Sequence, residues 1–131
     1  MKTAFLLALA SACCVATSIQ AHHTFAMFDA QKERTLVGTV REFQYTNPHG
    51  MLQLEVTTKS GNTQEWSIEF GSTTVMRRQG LGRDTFKSGD KITAIINPLR
   101  NGTTGGSFQR AILADGTLID APQVRLPRPS N

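Results

Sequence analysis

The chain has 131 residues, a formal net charge of +4 and 39% hydrophobic residues, enough for one modest domain but not for two. Its fourteen basic and ten acidic residues are interspersed, and Arg77-Arg78 is the one adjacent basic pair beyond the amino terminus. Such mild, dispersed basicity argues against a nucleic-acid or anionic-lipid partner, which would leave a polybasic tract.

The amino terminus combines Lys2, an apolar run from Ala4 to Val15 broken by Ser11, and a small residue at Ala21. This is the three-part pattern of a secretory signal peptide over residues 1–21. The run is shorter than the roughly 20 apolar residues a membrane helix needs, so a periplasmic or secreted protein without a transmembrane segment is expected. Cleavage after Ala21 makes His22 the first mature residue. The competing reading takes Ala10-Ser11-Ala12-Cys13 as a weak lipoprotein box and leaves a lipidated Cys13. Both cysteines, Cys13 and Cys14, lie in the signal, so a domain starting at His22 has no thiol for disulfides, metal thiolates or nucleophilic catalysis.

After an amino-terminal arm (22–34), a domain is expected over residues 35–120. Thr35 to Thr46 alternates apolar and polar residues as a long strand, with Gly38 marking a bulge or bend. Asn47-Pro48-His49-Gly50 turns the chain into a second strand, Met51 to Thr58, and Ser60-Gly61-Asn62 turns it again into Thr63 to Phe70. Ser72 is placed to cap a short helix from Thr73 to Gln79, with Gly80 as its stop. A fourth strand spans Lys91 to Asn97. A glycine-rich loop from Asn101 to Gly106 precedes a fifth, Ser107 to Leu113, and a brief return over Thr117 to Ile119. The tail, 121–131, reads as extended or disordered. This layout is that of an all-β, OB-like, five-stranded antiparallel barrel with one short helix, the alternative being a small open β-sandwich.

The three histidines fall at His22-His23 and at His49 in the first hairpin. A terminal histidine offers its α-amine and ring nitrogen to one metal, and a second imidazole extends a nitrogen-rich set suited to Cu(II). Imidazole, with a reference pKa near 6.5, is mostly unprotonated at neutral pH and ready to bind. The same histidines also read as a solvated terminus and a turn decoration. Met51 lies two residues beyond His49 on the same strand face, and with Met27, Met76 and Trp66 could form a softer Cu(I) set. Met and Trp in a domain this small are more often core.

Glu65, Glu69 and Asp84 are the acids with a claim to catalysis. Glu65 and Glu69 share one face of the third strand, opposite Trp66, but are spaced beyond the roughly 5–9 Å that glycoside hydrolysis uses. They read more simply as solvated acids balancing Arg77, Arg78 and Arg83. No serine sits in a nucleophile elbow, and Gly102 to Gly106 lacks the Lys-Ser/Thr ending of a phosphate loop. A copper-binding exported module is therefore the leading expectation, a metal-free adaptor using the barrel face near Trp66 and the glycine loop is second, and an enzyme is third.

His22-His23-Thr24-Phe25-Ala26, Thr46-Asn47-Pro48-His49, Glu65-Trp66 with Glu69 and Gly71, and Arg78, Gly80 and Lys87-Ser88-Gly89-Asp90 occur in one order. In this the chain resembles a family of small exported proteins of Gram-negative bacteria catalogued as a domain of unknown function, over about residues 21–119. The resemblance implies that His22, His23 and His49 are the positions to test, and it supplies no reaction or ligand. Where that family has an aromatic after the Asn-Pro-His turn, this chain has Gly50-Met51.

Overall fold

A computed structural model describes residues 26–123. The expected signal segment and its expected cleavage site, His22, His23 and the tail from 124 onward lie outside the described residues. The elements run β1 (Arg34–Gln44), β2 (Met51–Thr57), β3 (Thr63–Glu69), α1 (Thr73–Arg78), β4 (Lys91–Pro98), β5 (Gly105–Leu113) and β6 (Leu118–Asp120). Strands β1, β2 and β3 form the antiparallel meander expected from their alternation, and β1 also pairs antiparallel with β4, and β4 with β5. The barrel closes where β5 meets β3, with Ser67 opposite Gly105, Ile68 opposite Gly106 and Glu69 opposite Ser107.

That closing seam is parallel, so the five-stranded barrel is mixed rather than wholly antiparallel, with β6 added on the outside of β5. Its residues Gly105 and Gly106 belong to β5, two residues earlier than the sequence suggests. Glycine ordinarily weakens a strand because it has no side chain to pack. Here a Cβ on Gly106 would lie 2.5 Å from Ile96 Cδ1 and 2.7 Å from Asn97 O, and only glycine lets β5 approach closely enough to pair on both sides.

Gly38 has a similar role instead of the expected bulge. It pairs with Val56 on one side and Ile92 on the other, and a Cβ there would collide with the Glu55 carbonyl. The register shift comes later, between Val40 and Glu42, and adds the local bend that a closing barrel needs.

Leu36, Val40, Leu52, Leu54, Trp66, Ile68, Ala94, Ile96 and Phe108 alternate inward along the strands and form the core. One end is plugged by α1. Ser72 Oγ accepts from Val75 N at 3.3 Å, Gly80 follows with a left-handed φ of +82°, and the buried Met76 faces the barrel. Phe70, Phe86, Phe108 and Phe43 pack beneath it, the Phe70 and Phe108 rings stacked at 4.4 Å.

The arm before β1 packs against the end of β4. Phe28 is buried and bridges to Leu99, while Asp29 N donates to Pro98 O at 2.8 Å. Residues 121–123 are extended and attached: Ala121 N and Gln123 N each donate to β5 carbonyls at 3.0 Å. Gln123 Oε1 accepts from Gly71 N at 2.7 Å, tying this segment to the entrance of α1.

Candidate functional site

The β1–β2 hairpin carries the one histidine within the described residues. Its far end is locked to β3, because Gly50 N donates to Gly71 O at 3.0 Å and Phe70 N to Gly50 O at 2.9 Å. A Cβ at Gly50 would lie 2.7 Å from Met76 Cε and 2.8 Å from its sulfur, so a larger residue here has to displace the end of that side chain. The methionine fills the volume beneath the turn. The peptide between Asn47 and Pro48 is cis.

His49 then projects over the end of β3. Its Nδ1 stands 3.2 Å from Phe70 O and 3.3 Å from Glu69 Oε1. A backbone carbonyl can only accept, so Nδ1 is the donor in this contact and Nε2 is the ring nitrogen it leaves unengaged. About a third of the His49 side chain (34%) and a fifth of the Glu69 side chain (20%) stay open to solvent. Burial pushes the Glu69 carboxyl above its ordinary value, and the facing imidazole pulls in the other direction.

Register places Met51 beside this pair, since Met51 lies opposite Glu69 on β3 and Gln44 on β1. Residues directly opposite share a face, so His49, Glu69 and Met51 gather on the outer surface. The other candidates do not join them. Trp66 is 2% exposed and faces the interior, and the guanidinium of the exposed Arg34 covers its ring at 4.5 Å from the centroid. Met76 is in the core, and Met27 lies on the arm, where its carbonyl accepts from Arg100 N at 2.9 Å. The expected Met and Trp set around His49 thus reduces to Met51, because strand parity sends Trp66 inward and α1 needs Met76 as its buried contact.

Glu65 and Glu69 share the outer face of β3, as their spacing predicts, with Trp66 opposite. They do not balance Arg77, Arg78 and Arg83. All ten acids of the chain lie within the described residues, and none forms an ion pair with those three arginines. The outer face of β3 and the barrel end under α1 are different surfaces. Among the described residues there is no group of three His, Cys, Asp or Glu side chains able to hold a metal.

On the other flank of the hairpin, Tyr45, Thr46, Asn47, Thr73, Arg77 and Arg83 line an open cavity of about 370 Å³. In the sequence Arg77 stands out as half of a basic pair and Arg83 reads as a counter-charge, whereas Tyr45 and Asn47 draw no notice as site residues. The one local signal is the run of hydrogen-bonding residues at Tyr45-Thr46-Asn47 before the proline.

Fold and surface together define a small closed β-barrel with a tethered imidazole on its outside. The chain belongs to a family of unknown function, DUF6152, which matches residues 9–109. No curated protein and no solved structure matches it. Among the described residues, no helix is long and apolar enough to cross a membrane.

Proposed function

We propose that this protein is an exported binding module, freed of its signal peptide after Ala21, that holds one copper ion through His49 and the His22-His23 terminus. The observation that carries the reading is the tether on His49. Metal-binding imidazoles commonly donate their second ring nitrogen to a carboxylate or a backbone carbonyl, which sets the tautomer and raises the basicity of the liganding nitrogen. The Glu69 carboxylate and Phe70 carbonyl stand at Nδ1 in that role, and Nε2 is the nitrogen left to bind. The α-amine and ring of His22, with His23 beside it, supply the further nitrogens that Cu(II) prefers, and Met51 offers a thioether to the reduced ion.

The test is a cupric titration of the processed protein followed by visible absorbance. One equivalent should give a ligand-field band, and His49→Ala or one extra residue ahead of His22 should each weaken binding by at least tenfold. No band at one equivalent, or unchanged affinity in both variants, overturns the copper reading. The mass of the processed protein decides whether His22 is its first residue.

A metal-free adaptor is the second reading, and one observation favours it. Val37, Ile112 and Leu118 are exposed and lie in one row with Thr93 across β1, β4, β5 and β6. Isolated apolar residues at a surface are ordinary, but a contiguous row offers a partner something to cover. This row replaces the surface near Trp66, whose ring is enclosed.

A further inference from the structure

We infer that the cavity between the β1–β2 hairpin and α1 is a binding site for a small doubly charged oxyanion, a phosphate monoester or a dicarboxylate. This site is distinct from the copper site, since none of His49, Glu69 and Met51 lines the cavity.

Two arginines, Arg77 and Arg83, line the cavity, and no acid lines it. None of the chain's ten acids forms an ion pair with either arginine. Three arginines elsewhere are paired with acids, Arg41 with Glu55, Arg110 with Glu33 and Arg100 with Asp29, while Arg34 and Arg78 stand singly at the surface. Arg77 and Arg83 thus share a concavity without a neutralising acid. Two like charges facing one space repel each other, and an anion between them removes that cost.

The remaining wall is already oriented. Thr73 donates from both its backbone N and its Oγ1 to Asn47 Oδ1, each at 2.9 Å. This consumes the Asn47 acceptor and leaves the amide Nδ2 as a donor at the cavity wall. Tyr45 OH donates to Thr73 O at 3.0 Å, and its ring lies 5.6 Å from the Arg83 guanidinium carbon, a support for that side chain on one face. With the Asn47 carbonyl oxygen occupied and the Tyr45 proton given to Thr73, what the wall offers is mostly donors. Donors from arginine forks match oxyanions, which only accept. At the start of α1 the amides of Thr73 and Val75 are already taken, by Asn47 and Ser72. The volume of about 370 Å³ is within the range of small-molecule sites and leaves room for an organic body behind the charged group.

The experiment is a two-dimensional amide NMR titration of the full chain with inorganic phosphate, succinate, and sodium chloride at matched ionic strength. Phosphate or succinate should shift the amides of Thr46, Asn47 and Thr73 saturably, and chloride should not. A tighter phosphate curve assigns a phosphate-bearing ligand; a tighter succinate curve assigns a dicarboxylate. Arg77→Gln and Arg83→Gln should each weaken binding by about tenfold, the usual effect of losing a hydrogen bond to a charged group. Arg78→Gln removes the same charge from outside the cavity and should change affinity less than twofold. His49→Ala should leave it unchanged, so failure of the copper site and failure of this one are distinguishable. Equal losses in Arg77→Gln and Arg78→Gln would reduce the effect to net charge and overturn the proposal, as would the absence of saturable shifts with both anions.

Discussion

Replacing Gly106 with alanine tests how the barrel closes. The new Cβ would lie 2.5 Å from Ile96 Cδ1 and 2.7 Å from Asn97 O, and the second contact is about 0.7 Å inside ordinary van der Waals separation. Neither neighbour can retreat cheaply. Ile96 is fully buried, and the Asn97 carbonyl is backbone of β4, whose residue Asn97 is paired with Ser107. Forcing a methyl into such a site costs roughly 1–3 kcal/mol. The loss of glycine's freedom in the unfolded chain offsets about 0.4–1 kcal/mol of that. At the middle of both ranges the net destabilisation is about 1.3 kcal/mol, which should lower the melting temperature by roughly 5–10 °C in a domain of this size. Urea unfolding can be followed by fluorescence of Trp66, which is the sole tryptophan and is buried. Gly82→Ala is the control, since nothing lies within 4 Å of the position its methyl would take and its φ is not left-handed. A Gly106→Ala protein within about 0.5 kcal/mol of the parent, the range of an ordinary surface substitution, would refute the claim that glycine is needed at the seam.

Two further outcomes follow from the same packing. Gly50→Ala should cost roughly 1–2 kcal/mol by displacing the Met76 side chain, and less in a Met76→Ala background. Equal costs in the two backgrounds, measured by a double-mutant cycle in urea, would show that the contact does not limit position 50. Asp29 is held below its ordinary value of 3.8, chiefly by the hydrogen bond from Lys32. A carboxylate with a lowered folded pKa stabilises the protein above the unfolded value and loses that contribution as pH falls through the folded one. Asp29→Asn should therefore be less stable than the parent at pH 7 and converge with it as pH drops below 3.8, and a constant difference across that range would contradict the assignment.

The hairpin shows how far local pattern reaches. Asn47-Pro48-His49-Gly50 announces a turn by its backbone chemistry alone, and Met51 to Thr57 announces a strand by alternation. That Trp66 and Glu69 face opposite sides of β3 follows from parity, which is a property of any extended chain. The partner of His49 does not follow. Glu69 is twenty residues away and meets the imidazole because β2 and β3 are in a register that puts Met51 opposite Glu69.

Local sequence determined the strands, the helix capped by Ser72, the single turn histidine and the likeness to an uncharacterised family. Each depends on neighbours within a few residues or on motifs in linear order. Tertiary structure alone decided the parallel seam between β3 and β5, where two glycines that read as loop become strand because the backbones must approach. It also brought Tyr45 and Asn47 to Arg77 and Arg83 across some thirty residues of chain. Contacts of that kind depend on register and on where a helix settles against a barrel end. They are set by packing of the whole core, which no local window contains.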